Sequence, residues 1–527
     1  MFVVFVLKGC GIMILGLGVS VYSGLLLILG RSSRATTITA FRDGNQRLSP
    51  WTIFVMVTAL WSASLIVVQI DTAYQSGVSA VWYGISVAVM SLLVSTLIPW
   101  FRRHHYVSNS DLLGSAFGSS VRWLSAMVIS LTFPIFALSN ALAAGVFLEV
   151  ALHWPLALSL PLATVALIAY IQFAGILSIA RTQGLNLLTV CGGLGFAVWK
   201  LRHATALHTA LPLPPSYWHW FGIGHGLIWV WFGMNTLNVF SAQVEIQAVA
   251  AAKEIRRAQQ AVWISTVILL VIIGISTWLG IAARELTPQP NLEGLAAYSL
   301  LLVRQSPQWF IGIVGVSMWA MALMWCGPLL FSGAISLGAD LFGRPKSVWA
   351  MRAALVIEGI LMVLYALWRP GEVAWWRVFG LTLRNAAIVG PTLTVIMWTD
   401  LPPMSIFTAM ISGILVGLGL NAWTGFSPTH FVWGINPMWS AATTTFVVIG
   451  LWKLYRHLGL FTTLGSGMGW LVATVILIRF GDALASTGLL GVLVFGVGMA
   501  LLGYVWGLTK VVARRNLIQP LTILKND

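Results

Sequence analysis

The stretch Trp51–Ile70, WTIFVMVTALWSASLIVVQI, contains no charged residue. A bilayer core about 30 Å thick takes a helix of roughly 20 apolar residues, and this run has that length. It is typical of the chain, in which 58% of the 527 residues are hydrophobic and 8% are charged. An ordinary soluble domain carries about 25% charged residues, and no water-soluble fold buries such an apolar share. The apolar runs are continuous rather than alternating, which excludes a barrel and leaves a bundle of membrane helices.

Outward from Trp51, the same reading predicts fifteen spans. They lie at about 2–30, 51–70, 78–100, 120–150, 155–179, 184–201, 222–243, 260–282, 308–338, 348–368, 375–398, 404–424, 434–452, 466–481 and 486–508. Arg479 and Asp482 interrupt the last pair. Cytoplasmic loops retain Lys and Arg, so the spans can be tested by sorting the basic residues onto alternate sides. Twenty fall on the side of the first loop and six on the other, among them Arg369 and Arg377; Lys8, Arg384 and Arg479 stay inside spans. The first loop and the C-terminus are therefore expected to be cytoplasmic and the N-terminus outside, in a multi-pass protein of the cell (plasma) membrane.

The net charge of +15 follows from these loops and does not require a nucleic-acid partner. Cys10, Cys191 and Cys326 lie in apolar stretches without CxxC or Cys/His spacing and indicate neither a disulfide framework nor a metal site. The opening Met1-Phe2-Val3-Val4 has no small-residue cleavage signature after it and reads as a retained span rather than a cleaved signal. The outside loops near 211–220 and 286–309 hold no domain-sized segment, no His-rich loop, nucleophile elbow or phosphate loop is present, and no cofactor is expected. His153, His203, His208, His219 and His225 are scattered without ligand spacing, and His104 and His105 sit beside Arg102 and Arg103. Many of the 27 tryptophans fit interfacial belts, and no repeated Trp motif announces an aromatic cage for a quaternary ammonium.

Several segments carry a resemblance. They are Phe41 to Trp51 (FRDGNQRLSPW), Trp61-Ser62-Ala63-Ser64, Ala73 to Trp82 (AYQSGVSAVW), and Asp111 to Arg122 (DLLGSAFGSSVR). Gln243 to Ala248 (QVEIQA) is followed by Ala250 to Ala258 (AAAKEIRRA), the most specific of the set. In order and spacing these resemble motifs of the sodium:solute symporter family, over roughly residues 35 to 345. The resemblance implies an all-α polytopic protein with a LeuT-like core of five plus five helices in inverted repeats and extra helices at both ends. Its expected parts are residues 1–48 (an additional N-terminal helix and cytoplasmic loop), 49–202 (the first repeat), 203–400 (the second repeat) and 401–527 (accessory helices and a basic tail).

Such a scaffold binds its solute at the midplane, where the first helix of each repeat is broken and frees backbone groups. The matching positions are 61–66 and 233–238, although Ser62 and Gly233 also suit plain close packing. Ser62, Ser64, Gln69, Asn235, Thr236 and Asn238, with Asp71 nearby, are the candidate solute-binding residues; helix capping and bridging are their alternative use. Intramembrane charges are costly and therefore candidates for coupling: Glu358 and Arg384, able to pair with each other, and Glu245; a structural ion pair or a snorkelling arginine is the alternative for the first two.

The resemblance also exposes losses. Where the family carries the hydroxyl pair that helps hold sodium, this chain reads Met324-Trp325-Cys326-Gly327-Pro328-Leu329. Gln183 follows Thr182 and Ala242 follows Ser241 where aspartates are usual in the family. A hard cation needs oxygen ligands, so sodium coupling is not expected. Two functions remain: a secondary transporter of a small organic solute, proton-coupled or uncoupled, and a non-transporting membrane subunit or sensor that kept the fold among other subunits.

Overall fold

The computed structural model describes residues 2–31, 37–103, 106, 108–203, 213–287, 292–341, 348–370, 373–398, 400–428 and 430–523. Arg34, His104, His105, His208, Arg344, Lys346 and Lys525, used above in reading charge and histidine placement, lie outside the described residues. The helices are α1 (Phe2–Arg31), α2 (Ile38–Asp43), α3 (Pro50–Ser76), α4 (Val81–Arg103), α5 (Asn109–Phe117), α6 (Ser119–Leu152), α7 (Leu156–Ala174) and α8 (Ile176–Leu201). After them come α9 (His225–Asn238), α10 (Gln243–Ala250), α11 (Ile255–Leu286), α12 (Gly294–Gln305), α13 (Gln308–Ile335), α14 (Val348–Trp368) and α15 (Val373–Met397). The chain finishes with α16 (Pro403–Trp423), α17 (Pro437–Phe480), α18 (Asp482–Ser486) and α19 (Leu489–Ile523).

Among the described residues, twelve stretches are long and apolar enough to cross a membrane. The stretch Pro50–Arg103 holds both α3 and α4. Another, Pro437–Phe480, is interrupted at Gly459, whose φ of +80° and ψ of −178° break the helical path. Twelve stretches thus contain fourteen helical arms, and the interrupted pair α9–α10 completes about fifteen.

The chain divides into two compact units. The first comprises residues 1–112, 126–223 and 242–380, and α3 runs through its middle. Ser49 caps α3, its Oγ accepting from Thr52 N–H at 3.1 Å, with Pro50 in the first turn. A helix apolar all round is a buried one, and nearly every residue of α3 from Ile53 to Tyr74 is shielded by α4, α8, α10, α11, α12 and α13. At its end Gly77 takes φ +63°, and a Cβ there would stand 2.0 Å from the Tyr217 carbonyl oxygen, so only glycine fits. Two of the family-like segments meet in this unit: Leu48 N–H donates to Ala251 O at 3.0 Å and Lys253 N–H to Leu48 O at 2.8 Å. Arg102 Nη1 joins them through Ala250 O.

The second unit comprises residues 113–125, 224–241 and 381–527. Here α17 packs against α9, α16 and α19, and Thr445 Oγ1 donates to Ala386 O at 2.8 Å, tying α17 to the later half of α15. Small residues let these helices approach closely: a Cβ on Gly413 would lie 2.0 Å from Thr445 Oγ1.

Candidate functional site

Of the two expected helix breaks, one is absent. α3 is continuous through 61–66, because Trp61 to Ile66 contains neither proline nor glycine and nothing interrupts its hydrogen-bond ladder. The second lies a few residues beyond the expected 233–238: α9 ends at Asn238 and α10 starts at Gln243. Gly233 is inside α9, and a Cβ there would stand 2.1 Å from the Trp439 ring, which assigns this glycine to close packing.

In the second unit, polar side chains gather at the end of α9. Asn385 Nδ2 donates to Met234 O at 3.0 Å. Ser241 Oγ lies 3.0 Å from both Asn238 Oδ1 and Asn385 Oδ1. Arg384 Nη2 donates to Asn238 Oδ1 at 2.5 Å. A helix end leaves carbonyls without intrahelical partners, and these amides and the guanidinium surround it. Asn235 and Asn238 are buried and Thr236 is exposed. Asn238 and Arg384, two sequence candidates, are therefore brought together. On the other side of the break, in the first unit, Gln243 Nε2 donates to Ser332 O, Ser332 Oγ and Ser336 Oγ at 3.0 to 3.1 Å.

Around α3 the candidates separate. Ser64 Oγ accepts from Arg377 Nη1, while Ser62 Oγ is buried without a hydrogen-bond partner among the described residues. Gln69 Nε2 donates to Thr277 Oγ1 of α11 at 2.9 Å, and Asp71 Oδ1 accepts from Leu295 N–H at the start of α12 at 3.3 Å. These two side chains bridge helices, the alternative use anticipated for them. Glu245, fully buried, accepts from Trp61 Nε1 at 3.0 Å and from Ser91 Oγ at 2.8 Å. Both donors are neutral.

Glu358 and Arg384, read as a possible pair, belong to different units and each has its own surroundings. Glu358 in α14 is fully buried and neither carboxyl oxygen has a hydrogen-bond partner among the described residues. It packs directly on Gly333, where a Cβ would lie 2.4 Å from Oε2.

Arg377 corrects the charge sorting. Assigned there to an outside loop, it sits within α15 with 4% of its surface exposed. Beyond its bond to Ser64, Nη1 donates to Tyr83 OH at 2.8 Å, and Nη2 donates to Ser139 Oγ at 2.9 Å and Asn140 Oδ1 at 3.4 Å. The guanidinium carbon lies 4.9 Å from the Trp325 ring centre, and Trp325 in turn lies 5.9 Å from Trp61. Asn140 also donates through Nδ2 to the Ala63 carbonyl at 2.8 Å. Sequence reasoning missed Arg377, Tyr83, Ser139 and Asn140. One signal was available: Arg377 and Arg384 are seven residues apart, two turns of a helix, and so share a face of α15.

At the positions where the resemblance places sodium ligands, donors point at carbonyls. Gln183 Nε2 donates to Met324 O at 2.9 Å, Trp325 Nε1 to Phe136 O at 2.8 Å and the Cys326 thiol to Ala137 O at 3.1 Å. A cavity beside them is lined by Met56, Leu60, Gln183, Gln247, Pro328 and Phe331, with apolar residues completing the wall and no hydroxyl or carboxylate.

No family model matches the chain. It is 24% identical over 305 residues to the high-affinity choline transporter 1 of Drosophila melanogaster, an alignment covering 53% of this chain and 48% of that protein. The chain thus spans about half the length of the curated relative it matches. Among solved structures, a Na+-coupled sialic acid symporter, substrate-bound and outward-open, superposes with a TM-score of 0.64. The match covers 83% of this chain and 96% of that one at 16% identity, and it shows that the fold is LeuT-like.

Proposed function

We propose that the protein is a secondary transporter related to the sodium:solute symporters, moving a small organic solute by alternating access without sodium. The observation that carries the sodium-free part is the set of N–H and S–H groups of Gln183, Trp325 and Cys326 directed at carbonyl oxygens. A sodium ion needs several converging oxygens, and these three side chains present N–H and S–H donors where the resemblance has oxygen ligands. The unbroken α3 adds to this, since its own carbonyls stay in the helix ladder. The residues present do not fit sodium.

The solute region on this reading lies in the first unit, at the polar residues around Ser62 and Ser64 of α3, with repeats at 49–202 and 203–400. Glu245 is the group suited to proton coupling. A carboxyl surrounded only by the neutral donors Trp61 and Ser91 can take up and release a proton as water reaches it. A quaternary ammonium, suggested by the choline transporter relative, is disfavoured. The aromatic face that would attract it, Trp325, already carries the Arg377 guanidinium.

The test is uptake in proteoliposomes from pools of amino acids, sugars, carboxylates and vitamins, with sodium replaced by potassium in one arm. Uptake unchanged by the replacement is expected. Saturable uptake that requires sodium and disappears in Ser62→Ala would overturn the sodium-free reading.

A further inference from the structure

We infer that Arg377 is the docking point for an anionic group, a carboxylate, on the transported solute; this names the substrate class for the transport reading and rests on it. A guanidinium has five N–H donors in a rigid fork. In Arg377 Nη1 serves Ser64 and Tyr83, Nη2 serves Ser139 and Asn140, and Nε has no partner among the described residues. All four acceptors are neutral oxygens, and among the described residues no carboxylate lies within ion-pair distance of the guanidinium. Hydrogen bonds solvate this charge but do not neutralise it. An unpaired buried charge is expensive, and in a membrane protein such a charge marks a substrate or ion pathway.

The geometry favours a carboxylate over a spherical anion. Nε and Nη2 lie along one edge of the guanidinium, the edge that binds a carboxylate through two parallel bonds. Nε is buried without a partner among the described residues, and the longest bond of the set, 3.4 Å from Nη2 to Asn140, lies on that same edge. Asn140 remains held through Nδ2 on the Ala63 carbonyl if the arriving group displaces its Oδ1. Trp325 covers one face of the guanidinium and helps fix its plane. Ser64 thereby changes role: its hydroxyl positions the arginine that meets the solute.

The experiment compares acids with their own amides on the purified full-length protein: propionate with propionamide, benzoate with benzamide, and indole-3-acetate with indole-3-acetamide. Affinity is read by thermal stabilisation. Hydrogen bonds to charged groups exceed neutral ones by enough to give about a tenfold preference, so at least one acid is expected to bind about tenfold tighter than its amide. Arg377→Met should abolish that preference. Arg377→Lys should keep part of it with weaker binding, because a point charge cannot fork. Amides equal to acids in every pair, or an acid preference that survives Arg377→Met, would overturn the inference. Should Arg377→Met not fold, the wild-type acid–amide comparison and the lysine variant decide. The two readings fail separately. Transport of a neutral or cationic solute without acid preference leaves transport standing and removes the anion site; acid binding through Arg377 with no movement across the bilayer does the reverse.

Discussion

Glu245 and Gly233 occupy buried positions where one atom more or less has a definite effect. Glu245 accepts from Trp61 and Ser91, and Glu245→Gln keeps an acceptor oxygen for Trp61 while its amide N–H can donate to the Ser91 hydroxyl, which turns to accept. The variant also cannot cycle a proton. If Glu245 couples transport to protons, solute exchange should persist in Glu245→Gln while acceleration by an inward acid gradient disappears; an intact response to that gradient would remove Glu245 from the coupling path. For Gly233, any side chain meets the Trp439 ring, with the added Cβ at 2.1 Å. Overpacking typically costs about 1–3 kcal/mol, so Gly233→Ala should lower the thermal midpoint by several degrees, and trimming the indole in Trp439→Leu should restore part of the loss. Additive losses in the double variant would mean that the contact is not the cause.

At the scale of elements, the apolar length of each run was enough to find nearly every helix, because membrane insertion depends on summed hydrophobicity and tolerates substitution. Interruptions were harder to read. Trp61 to Ile66 has serines but no breaker, and α3 stays whole; the spans expected at 434–452 and 466–481, by contrast, are the two arms of α17 on either side of Gly459. The site was less legible still, since Ser64 and Arg377 are 313 residues apart and nothing local to either predicts the other. Asp400, between α15 and α16, is another long-range tie. Its carboxyl accepts from Lys453 Nζ at 2.6 and 2.7 Å and lies 3.0 Å from His457 Nε2, fastening the start of α16 to α17. Partial burial pushes this carboxyl up, but the hydrogen bonds from Lys453 and His457, with the Lys453 charge, outweigh it and hold it below its ordinary value. A depressed carboxyl contributes stability that is present above its unfolded pKa, about 3.9, and lost as pH falls through the folded value. Asp400→Asn should therefore lower the thermal midpoint at pH 7, with the gap to wild type closing as pH drops below about 4. A gap that persists at pH 3 would assign the effect to packing instead.

For the whole molecule, the position of Arg377 bears on topology as well as on chemistry. Removing it from the loops, and by the same test Lys453, buried within α17, leaves nineteen basic residues on one side and five on the other, so the bias grows slightly once buried charges are no longer counted as loop charges. Positive residues are retained on the cytoplasmic side, and on that rule we propose that the segment around Lys253 and the end of α19 near Lys510 lie inside, and Trp220 and Arg304 outside. Single cysteines in a background with Cys10, Cys191 and Cys326 replaced can report this with a membrane-impermeant maleimide on intact cells. Trp220→Cys and Arg304→Cys should label directly, whereas Lys253→Cys and Lys510→Cys should label only after permeabilisation. The reverse pattern at both pairs would invert the orientation. Labelling of Lys510→Cys alone would leave the core as assigned and mean that the arms of α17 on either side of Gly459 do not cross separately, placing the C-terminus outside.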